Sequence, residues 1–312
     1  MLKAIRKVTF INVFFRTLLR SLEHIFSSLF NFFIARWPTS GIIDCTFAGY
    51  DFKLYNECDD GLVDVLYYGK KHQEESDLKL FTILAKHARV IIDIGANTGS
   101  FSILSAAVNK NACIYAIEPY SPNFARLNIN LKINDCKNVK PLQVAMGEST
   151  GTVEFTVPES NAISEVSSIN GEFSKSMYPD LTWKKEIVTL ETMDHVRASN
   201  SIGKINLIKC DVETYEMNVF RGMDQILRED RPTILFECFL NHERQEFFND
   251  VQKKYNYYVY GVLTEGLVYL NNGFEKNVGG LNYLLSPVPP QRNFINYEYL
   301  SHHPGSILLV EV

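Results

Sequence analysis

The chain has 312 residues, of which 46% are hydrophobic and 21% charged, and its net charge is −5. That length and apolar content suffice for one large core plus an appendage and exclude a disordered protein. The negative balance, with no basic run interleaved with aromatics in the C-terminal two thirds, argues against nucleic acid as a partner.

Charge is divided unevenly. Residues 1–40 carry Lys3, Arg6, Lys7, Arg16, Arg20 and Arg36 against Glu23, a sum of +5, so the remainder sums to −10. Ile11, Phe14, Phe15, Leu18, Leu22, Ile25, Phe26, Leu29 and Phe33 recur at helical spacing, and Arg16, Arg20, Glu23, Ser27 and Asn31 take the other face. The run is too interrupted to span a bilayer, which needs about 20 mostly apolar residues, and no small-residue cleavage site follows it. Two readings stay open: a helix at a membrane interface through residues 1–37 with its arginines toward anionic headgroups, or a helix packed on the domain or a partner subunit. Six cysteines, in no metal or redox spacing, suit a reducing compartment, so the expected location is cytoplasmic, peripheral to the inner face of a membrane on the first reading.

Residues 41–75 read as a small β-rich lead-in, with a hairpin around Gly49-Tyr50 and a turn at Asp59-Asp60-Gly61. From residue 76 a larger domain begins with a helix at about 76–87, for which Ser76 is the expected N-cap. A buried strand at 90–95, IIDIG within IIDIGANTGSF, then breaks into a glycine-bearing loop and a helix at 99–109. Such junctions are where open α/β sheets bind ligands.

A dinucleotide site wants G-x-G-x-x-G with a pyrophosphate at the helix N-terminus. Here the spacing is Gly95-x-x-x-Gly99, Asn97 holds the middle position, and Asp93 precedes the loop. A carboxylate there repels a diphosphate and suits an ammonium, which favours S-adenosylmethionine over NAD. The strand at 113–118 ends in Glu118, which can accept both hydroxyls of a ribose. The bland alternatives are a helix cap for Asp93 and a solvated strand end for Glu118.

A helix at 122–134 and a strand at 140–146 continue the alternation, which lapses between 147 and 204. The strand-like pieces 151–158 and 186–193 mark an insertion there, a common place for substrate contacts. The βα pattern resumes with a strand at 205–211, helix 216–228, strand 233–238 and helix 242–254, and strand-like stretches at 257–261, 266–270 and 282–285 close the chain. Lys209, Asp211 and Glu213 fall at alternate positions and so share a side if the strand continues that far. They read either as a catalytic group or as an internal Lys–carboxylate network. Glu237 repeats the theme at a strand end, and His242 reads as a surface residue at a helix start.

Read in order, these segments resemble the FkbM family of S-adenosylmethionine-dependent methyltransferases over roughly residues 42–286. The matching positions are Asp93-Ile94-Gly95-Ala96-Asn97-x-Gly99, Glu118-Pro119, Leu127 and Asn130, Asn138-Val139, Ala145-x-Gly147, Val188-Thr189-Leu190 with Met193-Asp194, and Lys209-x-Asp211-Val212-Glu213-x-x-Glu216. Two departures stand out: Cys210 replaces the usual isoleucine and Thr214 the usual glycine. The resemblance implies an α/β, Rossmann-like class I methyltransferase fold: a mostly parallel seven-stranded sheet with an antiparallel C-terminal strand. It implies methyl transfer to a hydroxyl, with Asp93 at the methionine ammonium, Gly95, Asn97 and Gly99 in the cofactor loop, Glu118 at the ribose, and Gln143 and Ala145 near the adenine.

Methyl transfer from a sulfonium is an in-line displacement, and a hydroxyl becomes a good nucleophile as a carboxylate takes its proton. Asp211 or Glu213 is the expected base or acceptor-orienter, with Lys209 fixing their charge state. Convergence of Asp211, Glu213 and Glu237 on a metal ion is disfavoured, so no metal is expected. The expected acceptor is a hydroxyl of a sugar, glycan or lipid-linked glycan. A non-catalytic nucleoside-binding or membrane-adaptor protein, and an NAD-dependent oxidoreductase, remain as alternatives; oligomeric state is not legible.

Overall fold

A computed structural model describes residues 9–22, 37–68, 73–160, 167–274, 282–290 and 292–302. The elements in order are α1 (Thr9–Leu22), β1 (Ser40–Phe47), β2 (Tyr50–Glu57), α2 (Gly61–Tyr68), α3 (Gln73–Ala85), β3 (Val90–Ile94), α4 (Ser100–Val108), β4 (Cys113–Ile117), α5 (Ser121–Ile133), β5 (Val139–Leu142), β6 (Ala145–Met146) and β7 (Gly151–Pro158). There follow α6 (Gly171–Met177), β8 (Trp183–Glu191), α7 (Met193–Ser199), β9 (Leu207–Cys210), α8 (Glu216–Arg221), α9 (Asp224–Glu229), β10 (Thr233–Glu237), α10 (His242–Tyr255), β11 (Tyr258–Leu263), β12 (Gly266–Tyr269), β13 (Asn282–Ser286), β14 (Phe294–Asn296) and α11 (Tyr297–His302).

The central sheet has nine strands in the order β14-β12-β11-β13-β10-β9-β3-β4-β5. Pairing is parallel from β10 to β5 and antiparallel from β10 to β14. The expected seven strands are therefore corrected to nine, and two strands, β13 and β12, run against the rest where one was expected. A tight turn at Thr264-Glu265 makes β11 and β12 a hairpin, while β13, from later in the chain, inserts between β11 and β10, and β14 adds to the outer edge of β12.

Successive residues of β3 point to opposite faces. Ile91 joins a core with α3, α4, α5 and the β1–β2 hairpin, while Ile92 and Ile94 join a second core under α7, α8, α9 and α10. This double covering explains the unbroken apolar run read from the sequence.

Residues 145–191 depart from the expected single strand at 140–146. The chain leaves the central sheet after Leu142, and β6 joins a separate three-stranded sheet in the order β6-β8-β7. The helix expected over 216–228 breaks at Gly222, where a Cβ would stand 1.9 Å from the Gly147 carbonyl oxygen. Nor is Ser76 an N-cap: it lies inside α3, which begins at Gln73.

The lead-in hairpin packs on the larger domain. Backbone N–H groups of Tyr55 and Lys53 donate to the side chains of Asn130 and Asn134 at 2.7 and 2.8 Å. Helix α1 packs in the reverse of the usual sense for an amphipathic helix. Its polar residues Asn12 and Arg16 are buried: Asn12 donates to the Pro38 carbonyl at 2.9 Å and accepts from the Ser40 N–H at 3.0 Å, and Arg16 donates to the Ser40 carbonyl at 3.0 Å. Val13, Phe14, Phe15 and Leu18 stay exposed. Arg16 is thus turned into the protein, correcting its expected place at headgroups. The apolar positions Ile25, Phe26, Leu29 and Phe33 lie outside the described residues.

Candidate active site

The loop after β3 is shaped by backbone geometry. Gly95, Asn97 and Gly99 have φ of 78°, 50° and 96°, a left-handed run that glycine adopts without strain. Gly95 and Ala96 donate to the Ile117 carbonyl at 3.0 and 2.9 Å, which joins the loop to the end of β4. There Glu118, only 5% exposed, accepts from the Asn97 N–H at 2.9 Å and the Tyr120 N–H at 2.8 Å. Burial pushes its carboxyl up to about 7, against the opposing pull of those two bonds.

Beside this loop, Lys209 at the end of β9 is 7% exposed and donates to the Asp211 carboxylate at 2.9 Å. Its ammonium lies 4.5 Å from the centre of the Phe101 ring. Burial opposes the charge on Lys209, but Asp211 and Asp93 outweigh it and raise the ammonium pKa. One oxygen each of Asp211, Glu213 and Glu237 lie within 4.8 Å of one another. Burial first, then the Asp211, Glu213 and Glu216 carboxylates, push Glu237 up to about 9, against Lys209.

Both groups open on one cavity of about 210 Å³. Of the sequence-predicted residues, Gly95, Asn97, Glu118, Ala145, Lys209, Asp211 and Glu213 line it. Asp93, Gly99 and Gln143 do not. Asp93 shares the face of Ile91 under α4, is fully buried and accepts from the Ser102 hydroxyl at 2.7 Å. Its register partner on β9 is Lys209. Burial raises its carboxyl pKa, and Lys209 opposes that rise. Gly99 lies behind the loop, where a Cβ would stand 2.4 Å from Leu127 Cδ1, and exposed Gln143 donates to the Ser121 hydroxyl at 2.8 Å.

Sequence reasoning underweighted Glu237 and missed Asp60. Buried Asp60 accepts from the Thr98 hydroxyl of the glycine loop at 2.8 Å and lines the cavity with Leu62. Its only sequence signal is the Asp-Asp-Gly turn. His242, as expected, sits exposed at the start of α10.

The cavity suits the methyl donor. Glu118 places its acceptor oxygens beside the glycine loop at the cavity wall. Asn97 Oδ1 and Ser100 Oγ are buried with no hydrogen-bond partner, ready for a polar ligand. Lys209, the only basic residue among the described lining residues, already bonds Asp211, so a diphosphate would meet no unpaired cation.

The methyltransferase FkbM domain model matches residues 93–261. Methyltransferase sdnD of Sordaria araneosa is 30% identical over 156 residues, covering 43% of this chain and 60% of that protein. Hexuronic acid methyltransferase AglP of Haloferax volcanii is 26% identical over 157 residues, covering 50% and 58%. The chain thus spans about three fifths of the length of these curated relatives. Among solved structures, an FkbM methyltransferase from Methylobacillus flagellatus aligns at a TM-score of 0.43 with 15% identity, over 73% of this chain and 55% of the other.

Proposed function

This chain belongs to the FkbM family of methyltransferases, and we propose from that premise that it methylates a hydroxyl on a sugar, glycan or lipid-linked glycan. The observation that carries this reading is the shared cavity, with Glu118 and the glycine loop on one side and the Lys209–Asp211–Glu213–Glu237 group on another. S-adenosylmethionine, the cofactor of the family, supplies an electrophilic methyl on its sulfonium when bound.

In this reading Glu118 accepts the ribose hydroxyls, Asn97 and Ser100 take further polar atoms, and Ala145 walls the adenine. Asp93, buried behind the loop, acts by holding its register partner Lys209 rather than by direct contact. Lys209 bonds Asp211, which orients the acceptor. Glu237, with its carboxyl near 9, keeps its proton at neutral pH, so Glu213 is the group left to take the proton from the acceptor. Lys209 supplies the local positive charge, so chelators are expected to leave transfer unchanged; loss of activity restored by Mg²⁺ would overturn that.

The exposed apolar side of α1 supports membrane contact through residues 1–37 and, with it, a peripheral position at the inner face of a membrane. Among the described residues no helix is long and apolar enough to cross one. The acceptor is tested by incubating the protein with isotope-labelled S-adenosylmethionine and host-cell extract and identifying the labelled product. A methyl ether on a sugar is expected; label on nitrogen or sulfur would refute hydroxyl transfer.

A further inference from the structure

Glu213 and Thr214 are consecutive non-glycine residues in the left-handed region, with φ of 53° and 75°. A β-branched residue is strained there, so its surroundings must hold it. The Ser168 hydroxyl donates to the Glu213 carbonyl at 2.8 Å, and the Asn170 side-chain amide donates to the Thr214 hydroxyl at 2.7 Å. From other directions Arg244 donates to the Thr214 carbonyl at 3.4 Å, and the Glu216 carboxylate accepts from the Thr214 N–H at 3.2 Å.

Ser168 and Asn170 come from the insertion and are themselves fixed. Ser168 exchanges backbone hydrogen bonds of 2.9 and 3.2 Å with Thr156 of β7. A Cβ at Gly171 would stand 2.1 Å from Thr156 Oγ1, so the chain lies hard against that strand. Ser167, Ile169 and Glu213 line the cavity, whereas Ser168, Asn170 and Thr214 do not.

We propose that the insertion clamps the catalytic loop through the Asn170–Thr214 and Ser168–Glu213 bonds, and that this clamp positions the Glu213 carboxylate in the cavity. Asn170 and Thr214 are positioning residues. A glycine at 214, the usual residue of the resembling motif, accepts a positive φ without strain but gives Asn170 nothing to grip. In this chain the threonine ties the position of Glu213 to the insertion. What Glu213 does there rests on the methyltransferase reading; where it sits does not.

Glu237 reports the position of Glu213 without any acceptor. The groups that set its titration are Asp211, Glu213 and Glu216, which raise it, and Lys209, which lowers it, on top of burial. The experiment follows the side-chain carboxyl carbon of Glu237 by NMR in the full chain with ¹³C-labelled glutamate, the signal being assigned with Glu237→Gln. Asn170→Ala and Thr214→Val are expected to lower its midpoint by about one pH unit, because Glu213 moves away. Thr214→Ser, which keeps the hydroxyl, retains the wild-type midpoint, and adding Asn170→Ala to Thr214→Gly changes nothing further.

An unchanged midpoint in Asn170→Ala, even with a lowered Tm, overturns the clamp, as does a Thr214→Ser shift equal to that of Thr214→Val. With labelled S-adenosylmethionine and host-cell extract, Asn170→Ala is expected to transfer about tenfold less label while its cofactor affinity stays within about twofold. Undiminished transfer overturns the positioning role. Absence of label with the wild-type protein counts instead against the methyltransferase reading, and the midpoint still decides the clamp.

Discussion

Gly95 and Asp211 touch backbone to backbone: a Cβ on Gly95 would stand 1.8 Å from the Asp211 carbonyl oxygen. The adjoining Asp211 N–H donates to the Ile94 carbonyl at 3.0 Å. The glycine loop and the carboxylate loop are therefore set against each other by a contact that only glycine permits, at a φ of 78°. Gly95→Ala must push the loops apart or unfold them. A loss of about 2–4 kcal/mol in urea denaturation and of calorimetric S-adenosylmethionine binding is expected, from overpacking plus the left-handed strain. Wild-type binding in this variant would contradict the packing.

Lys209 faces two carboxyl groups at once. Asp93 is fully buried opposite it on β3, and Asp211 bonds it directly. Lys209→Met leaves the Asp93 charge buried without its partner, a change worth about 3–5 kcal/mol. Chemical denaturation should show that loss at neutral pH, and the double variant Lys209→Met/Asp93→Asn should recover part of it. No recovery would mean that Asp93 is not held by Lys209.

Stability should fall as pH rises through the neutral range. Burial raises Glu118 and Glu216 to about 7 and Glu237 to about 9, from the ordinary glutamate value of 4.5. The folded state therefore binds these protons more tightly than the unfolded chain does. Their contribution is complete below about pH 4.5 and is lost as pH climbs through 7 and then 9. Each group adds a slope of roughly 1.4 kcal/mol per pH unit within its window. Urea denaturation between about pH 5 and pH 9 reads this slope, and Glu237→Gln should flatten the stretch above pH 7. A profile that rises with pH contradicts the burial of these acids in neutral form.

Helix α1 exposes Phe14 and Phe15 while Asn12 and Arg16 pin it to Ser40. Vesicles containing anionic lipid should sediment with the wild-type protein and fail to do so with Phe14→Glu/Phe15→Glu, because two charges replace the apolar contact. Deleting residues 1–37 should remove vesicle binding and leave cofactor binding intact. Vesicle binding that survives both changes sinks the membrane assignment.

Local signals made much of the site legible. The apolar run Ile91–Ile94 and the breaking glycines are neighbours in sequence, and Glu118 ends the next strand. Lys209, Asp211 and Glu213 are close in sequence too, but β9 ends at Cys210 and Glu213 has a φ of 53°, so the loop after the strand, not strand alternation, brings Glu213 to the cavity. The period of two places Asp93 on the face of Ile91, under α4 and outside the cavity lining. What the sequence concealed depends on long-range contact. Glu237 meets Asp211 because β10 pairs with β9, Asp60 reaches the glycine loop through Thr98, and β6 leaves the central sheet for β8. Helical periodicity correctly separated the two faces of α1 but could not tell which one packs, since Arg16 finds a carbonyl and Asn12 both a carbonyl and an N–H at the hairpin.

On the proposed function, this cavity holds a methyl donor and delivers the methyl beside Glu213. The most direct measurement compares wild type and Glu213→Gln with methyl-labelled S-adenosylmethionine and host-cell extract, alongside calorimetric cofactor binding. A labelled product is expected from wild type, at least about a hundredfold less from the variant, and cofactor affinities within about twofold. Cofactor binding with no label transferred by wild type, or equal transfer by both proteins, would contradict it.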